Sequence, residues 1–445
     1  MTTTTASRAA TSGRRARRRT RTGALAAGLV LALAGCGFVN TDGDGASESE
    51  EGGAPAKLTA YVNTEMNTGL TKLVETYERA SGVTIDISSA ETADLNQQLR
   101  VQLTSGTAAD LIRVSPGYSS PVAVGVLASD GELADLSDEP WTKHLSDDAR
   151  ALAGVDGKTL AFPVSRNAIV MAYNKRVFAD ARVEVPTTWS DLRRACEKLR
   201  DAGVTPIAAP FQDGIYLQFW MYALGATLVY AENPDLDAQM TAGEVDFVDH
   251  PGWNEVFAKW LELRDAGFFS EGALGIPFDQ GMQSVAKGEA AMMLLVSAGL
   301  PQLYGYAEEG AEAFGVFALP ATDNPDDTYV PLAPDFLAVN AASDNVEAAK
   351  DFIEFLAKPD NVAAYANAMG VLPGLDVDVE LDSDVLDSIL PLIEQGRAAP
   401  YANYLWPNGD TQQKLLQSGQ LLFDDKITTK QLLAEMDQEY DKGTP

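Results

Sequence analysis

"KLTAYVNTEMNTGLTKLVETYERASGVTIDISSAETADLNQQLRVQLTSGTAADLIRV" (57–114) is the stretch on which the fold turns. "KLTAYVN" (57–63) reads as a strand, and Leu70, Leu73, Val74 and Tyr77 then recur at helical spacing. "VTIDIS" (83–88) is a second strand. "ADLNQQLRVQL" (93–103) is a helix with Leu95, Leu99 and Leu103 on one face, and "DLIRV" (110–114) is a third strand. Strand–helix–strand–helix–strand in so short a span implies a parallel sheet covered by helices. Ligands of such sheets bind in the loops beyond the carboxyl ends of the strands. Those loops hold Asn63, Thr64 and Glu65, then Glu91 and Thr92, then Ser115 to Tyr118.

The same alternation restarts downstream. Thr188 to Asp191 has the pattern of a capped helix start, followed by Trp189, Leu192, Cys196 and Leu199 on an apolar face. "VTPIAA" (204–209), "AAMMLLV" (290–296) and "AFGVFAL" (313–319) read as strands, and 251–266 as a helix. The chain's end is helical in pattern at 345–357, 360–369, 383–395, 411–422 and 428–440. Two α/β units in one chain leave a cleft between them, a favoured place for a small ligand. Trp189 and Trp260 fall at helical spacing and read as core; Cys196 reads as a small core residue.

The first 35 residues carry seven arginines and no acids, and 23–34 is uncharged. Twelve residues of helix reach about 18 Å, too short for a bilayer core, so this is read as an export signal. Leu33-Ala34-Gly35-Cys36 resembles a bacterial lipobox, which implies cleavage before Cys36 and lipid attachment to it. Arg14-Arg15 leaves general and twin-arginine export both open. Residues 36–56 are rich in Gly, Ser and acids and read as a flexible tether. From Cys36 onward, 26 basic residues face 64 acidic ones, a formal −38. Such a surface repels nucleic acid and anionic lipid heads, leaving the lipid as the expected tie to the membrane. With Cys36 lipidated, Cys196 has no partner for an internal disulfide.

Catalytic patterns are sparse. The two histidines, His144 and His250, lack metal-spaced partners, and no HExxH, CxxC or GxSxG occurs. "GVDGKT" (154–159) ends like a phosphate loop but has Leu152 where glycine is required; it reads as a turn before a strand at 159–162. No metal, cofactor or catalytic residue is expected.

"YNKRVFADARVEVPTTWSDLRRACEKLRDAGVTPIA" (173–208) resembles the signature region of family 1 extracellular solute-binding proteins of ABC importers, the maltose-binding-protein-like group. The segments 109–137, 283–295 and 345–366 match further family patterns in order. The resemblance implies a two-lobed, periplasmic-binding-protein-like α/β fold with a hinge and an interlobe ligand cleft. One lobe would be 57–165 with 337–375, the other 166–336 with 376–445, joined by crossovers near 163–167, 334–337 and 374–380. It further implies ligand contacts at Asn63, Glu65, Glu91, Ser115, Tyr118, Arg166, Asn167, Asp213, Tyr216, Trp220, Asp335 and Trp406. Family members often carry a tryptophan after the strand at 290–296; here "SAGL" (297–300) stands there, which disfavours long oligosaccharides.

The expected function is capture of a mono- or disaccharide for a membrane permease by a monomer lipid-anchored on the outer face of the cell membrane. Two alternatives stay open. Glu65, Glu91, Asp213 and Asp335 could converge on a polyamine or other cationic solute, with Arg166 arguing the other way. Two of these acids could instead serve a secreted glycoside hydrolase.

Overall fold

The computed structural model describes residues 57–382 and 386–443. The expected signal, Cys36 and tether lie outside the described residues.

The strands are β1 (Lys57–Asn63), β2 (Thr84–Ala90), β3 (Leu111–Val114), β4 (Phe162–Asn174), β5 (Thr205–Ala208), β6 (Ala290–Val296), β7 (Phe314–Phe317), β8 (Val330–Val339), β9 (Leu372–Pro373) and β10 (Ala398–Pro400). The helices used below are α1 (Thr64–Ser81), α2 (Thr92–Ser105), α3 (Trp189–Asp201), α4 (Gln218–Gly225), α5 (Pro251–Asp265), α6 (Phe278–Lys287), α7 (Val346–Leu356), α8 (Pro359–Met369), α9 (Gly409–Phe423) and α10 (Thr429–Tyr440).

Local signals explain where these elements start and stop. The Asn63 side chain accepts the Met66 N–H and opens α1, which buries Leu70, Leu73, Val74 and Tyr77 and ends at Gly82 with φ +75°. Thr188 accepts the Asp191 N–H and opens α3. His250 is a cap as well: its Nδ1 accepts the Trp253 N–H at the head of α5.

β1 runs parallel to β2 and β3, as the opening stretch predicts. The sheet order is β2-β1-β3-β8-β4-β6-β5, with β10 beside β8, and β7 and β9 beside β4. β4 does the joining. Its start pairs with β8, from Phe162 opposite Leu337 to Ala168 opposite Leu332, with a register shift between Pro163 and Ser165. Its end, from Ile169 onward, pairs with β6 and β7.

Buried apolar side chains divide along the same line. Two clusters draw on 58–164 and 336–375. Two others draw on 168–333 and 386–440, together with Leu372. Partly buried Tyr404 and Leu405 pack against a cluster of each set.

Two expectations need correction. The strand expected at 159–162 begins only at Phe162. Of the helix expected over 383–395, the described residues keep only Leu390–Glu394; Pro391, lacking an N–H, sits in its first turn, where proline starts helices and does not continue them.

Candidate functional site

β3, β4 and β8 bring the middle of the sheet to a polar cluster. Arg113 on β3 donates its Nε–H to Asp335 Oδ1 on β8 at 2.9 Å and Nη1–H to Ser115 Oγ at 3.0 Å. The Arg113 and Asp335 side chains are only 11% and 14% exposed. Burial alone would lower the guanidinium pKa; the adjacent Asp335 carboxylate overrides this and raises it. Glu65, exposed in the first turn of α1, adds its negative charge to the field at Arg113.

Tyr404 and Tyr365 complete the cluster. Burial pushes the Tyr404 phenol up to about 12, with Arg113 pulling it down and Asp335 raising it. Tyr365, on α8, is raised by burial and then by Asp335 and Glu65. Its ring lies against Gly69 of α1, where a Cβ would collide with it. Tyr404 stacks on Tyr401 with centroids 5.6 Å apart, and the Tyr401 hydroxyl donates to the Asn167 carbonyl at 3.2 Å. Beyond Tyr401 lies Tyr222, which donates to Gln218 Oε1; the same oxygen accepts from Gln412 Nε2.

Two buried acceptors, Asn167 Oδ1 and Asn403 Oδ1, have no hydrogen-bond partner among the described residues. Buried amide oxygens left unpaired are costly, and a ligand hydroxyl is the kind of donor that would satisfy them.

The expected residues separate. Glu65, Ser115, Asn167 and Asp335 gather around Arg113, Tyr404 and the Tyr401 loop. Asn63 and Glu91 sit next door, but their polar atoms are engaged: Asn63 caps α1, and Glu91 accepts from Thr64 Oγ1 at 3.1 Å. Tyr118 packs its ring on Gly125 and remains 37% exposed. Asp213 and Tyr216 border a different concavity of about 610 Å3, where Tyr216 stacks face to face on Phe278 at 3.9 Å.

Three of the expected residues lie away from this cluster. Arg166 belongs to the opposite strand face from Asn167, because successive side chains on a strand alternate. It donates to the Pro373 carbonyl, pairs with Asp376 at 3.0 Å and borders a cavity of about 650 Å3 lined also by Asp148, Leu375, Leu390 and Ile393. Trp220 is 1% exposed and packs edge-on against Phe269. Trp406 is 0% exposed and packs against Phe247, Trp253 and Tyr222. Neither indole reaches the polar cluster as a free face.

Arg113, Tyr365, Tyr401, Asn403 and Tyr404 were not singled out from sequence. Arg113 falls within the strand read at 110–114, and no pattern sets the tyrosines or Asn403 apart. Their common location follows only from β8 inserting between β3 and β4.

Among the described residues no group of three metal-binding side chains is assembled, and no helix is long and apolar enough to cross a membrane.

Known proteins share this fold. Residues 72–385 match the family model described as bacterial extracellular solute-binding protein. The chain is 24% identical over 376 residues to the diacetylchitobiose binding protein of Streptomyces coelicolor, covering 78% of this chain and 80% of that one. It is 24% identical over 209 residues, 46% of each chain, to the maltooligosaccharide ABC transporter solute-binding lipoprotein of Streptococcus pneumoniae. A solved chitin oligosaccharide binding protein superposes with a TM-score of 0.73 at 20% identity, covering 88% of this chain and all of that one. The Streptomyces glaucescens GacH receptor, solved unliganded and with acarbose, gives 0.71 at 19% identity, covering 88% and 98%. The fold is therefore the two-lobed α/β fold of these receptors, and the chain belongs to the bacterial extracellular solute-binding protein family.

Proposed function

We propose that this chain is the sugar-capturing component of an ABC importer, taking a mono- or disaccharide between its lobes and handing it to membrane permease subunits. The observation that carries the reading is the neutralised centre of the polar cluster. Arg113 and Asp335 cancel one another, with the uncharged Ser115 and Tyr404 beside them; Tyr401, stacked on Tyr404, leads on to Asn167, and Asn403 shares their loop. That surface suits a neutral polyhydroxyl ligand, whose hydroxyls both donate and accept. Glu65 adds a carboxylate acceptor at the edge.

The cationic-solute reading loses its support here. Asp335 is paired, Glu91 accepts from Thr64, and Asp213 caps Ile215 N–H beside a separate groove. Glu65, Glu91 and Asp335 are neighbours, but the Asp335 charge is met by Arg113, and Asp213 lies apart. Binding without turnover, a monomeric state, the lobe boundaries given above and a lipid on Cys36 at the outer face of the membrane complete the proposal. The pairing of 163–168 with 332–336 supports the first two crossovers.

The test is a melting-point screen followed by calorimetry. Diacetylchitobiose, maltose, glucose, spermidine and glycerol 3-phosphate are added separately. A ligand bound only to the native state raises its melting point, by about 2.7 kcal/mol of stability at one hundred times Kd. A rise with a sugar and none with spermidine or the phosphate ester is expected. A rise with spermidine alone would overturn the assignment.

A further inference from the structure

Two glycines stand where the halves meet backbone to backbone. Gly117, in the turn after β3, has φ +59°, and a Cβ there would collide with the Tyr404 carbonyl. Gly409 opens α9; its backbone is outside the left-handed region, yet a Cβ would lie 2.6 Å from the Ser119 carbonyl oxygen. Its conformation would accept alanine; the space would not.

Both contacting backbones are held firmly. Between Tyr404 and Gly409 lies Trp406, fixed in the core of the second lobe by Phe247 and Trp253. On the other side, Ser115 N–H donates to the Val122 carbonyl, Gly125 N–H donates to the Gly117 carbonyl, and Val114 and Val122 are buried in the first lobe. No side chain of either glycine cushions the approach, so at these two points backbone meets backbone, beside the packing of Tyr404 and Leu405 against both halves.

We propose that Gly117 and Gly409 form a closure stop. They are positioning residues: they set how near Asn403 and Tyr404 come to Arg113 and Asp335, and so the affinity of the closed state. The proposal rests on the reading that the lobes close on a solute, but the contact itself does not depend on which solute. Adding one methyl group at position 409 would hold the lobes apart and shift the population toward open forms.

The experiment uses the full chain with Gly409→Ala, and Gly275→Ala as control, since a Cβ at Gly275 meets nothing within 4 Å. Hydrogen exchange without ligand is followed in 115–125 and 402–411. Faster exchange in both segments is expected for Gly409→Ala and unchanged exchange for Gly275→Ala, with the melting point of Gly409→Ala not lowered. With diacetylchitobiose as probe, the Gly409→Ala variant should bind at least tenfold more weakly than the unmodified chain. Identical exchange in both segments overturns the stop, as does a fall in melting point comparable to that of a core cavity. If diacetylchitobiose fails to bind the unmodified chain, the sugar assignment suffers, and the exchange comparison still decides the stop.

Discussion

In the second lobe Trp189, Trp220, Trp253, Trp260 and Trp406 lie within one buried cluster, whereas the rings beside the Arg113–Asp335 pair are Tyr365 and Tyr404, with Tyr401 of the tryptophan cluster stacked behind Tyr404. The difference is chemical. An indole buries a large apolar face and offers one donor; a phenol carries a hydroxyl that both donates and accepts. Here the tryptophans build the wall, together with Tyr222, Tyr230 and Tyr440, while the rings facing the polar centre are the phenols of Tyr365 and Tyr404. Trp406 links the two regions, since its burial holds the loop that carries Asn403 and Tyr404.

The largest expected effect tests that division. Trp406→Ala should cost about 4 kcal/mol of stability, as large-to-small changes in a packed core do. Denaturant unfolding without ligand measures it. An unchanged unfolding midpoint combined with lost sugar binding would return Trp406 to the ligand face and collapse the contrast.

Next comes the ion pair. Asp335→Asn leaves Arg113 nearly buried without its counter-charge, and about 3 kcal/mol of stability should be lost. The double variant Arg113→Met with Asp335→Leu should recover most of this, because burial of two unpaired apolar side chains replaces burial of one lone charge. Chemical denaturation of the three proteins separates these outcomes. A single variant as stable as the parent would show that the pair is solvated and not part of a closed centre.

Adjacent residues on β4 sharpen the comparison at smaller amplitude. Asn167→Ala removes a buried acceptor that has no partner among the described residues; it should weaken sugar binding roughly tenfold, about 1.4 kcal/mol, with little effect on melting. Arg166→Ala should leave affinity nearly unchanged and lower stability, since it abandons Asp376 and the Pro373 carbonyl. Calorimetric titration beside melting curves distinguishes them; equal binding losses would mean that strand alternation does not separate these two side chains.

Much of the fold was legible because period and caps are local properties. β1, β2, β3 and α1 follow from 57–114, and Thr188 announces α3. The site was legible only in part. Glu65 and Ser115 come from strand ends, which sequence can locate, and Asn167, inside β4, from the family resemblance. Arg113 joins them through β8, a strand more than two hundred residues away, and nothing local signals that pairing. Trp406 misled because it precedes Pro407-Asn408-Gly409, and such loops ordinarily run over the surface. Here Tyr222, Phe247 and Trp253, all distant in sequence, cover the indole. Arg166 misled for the opposite reason: its position was right by one residue, and on a strand one residue is a change of face.

The smallest effect is a pH dependence whose sign differs between the lobes. In the second lobe Asp437 accepts the Phe247 and Val248 N–H groups, yet burial dominates and raises its pKa to about 6; burial likewise raises Asp237, beside Tyr230, to about 7. A carboxyl whose folded pKa exceeds its unfolded value binds protons more readily when folded, so stability rises as pH falls from about 7 toward the unfolded value near 4. In the first lobe Asp110 goes the other way. Burial would raise it, but hydrogen bonds from Ser343, Thr59 and Asn345 together hold it below the usual range. Its contribution is present above the unfolded value and is lost as pH falls through the lower folded value. Melting points recorded from pH 8 to pH 3 should therefore climb on mild acidification and then fall. Asp437→Asn should flatten the climb and leave the acid fall intact, while Asp110→Asn should lower stability at neutral pH and flatten the fall. If Asp437→Asn leaves the climb unaltered, Asp437 is solvated, and only Asp237 can set this lobe apart from the first.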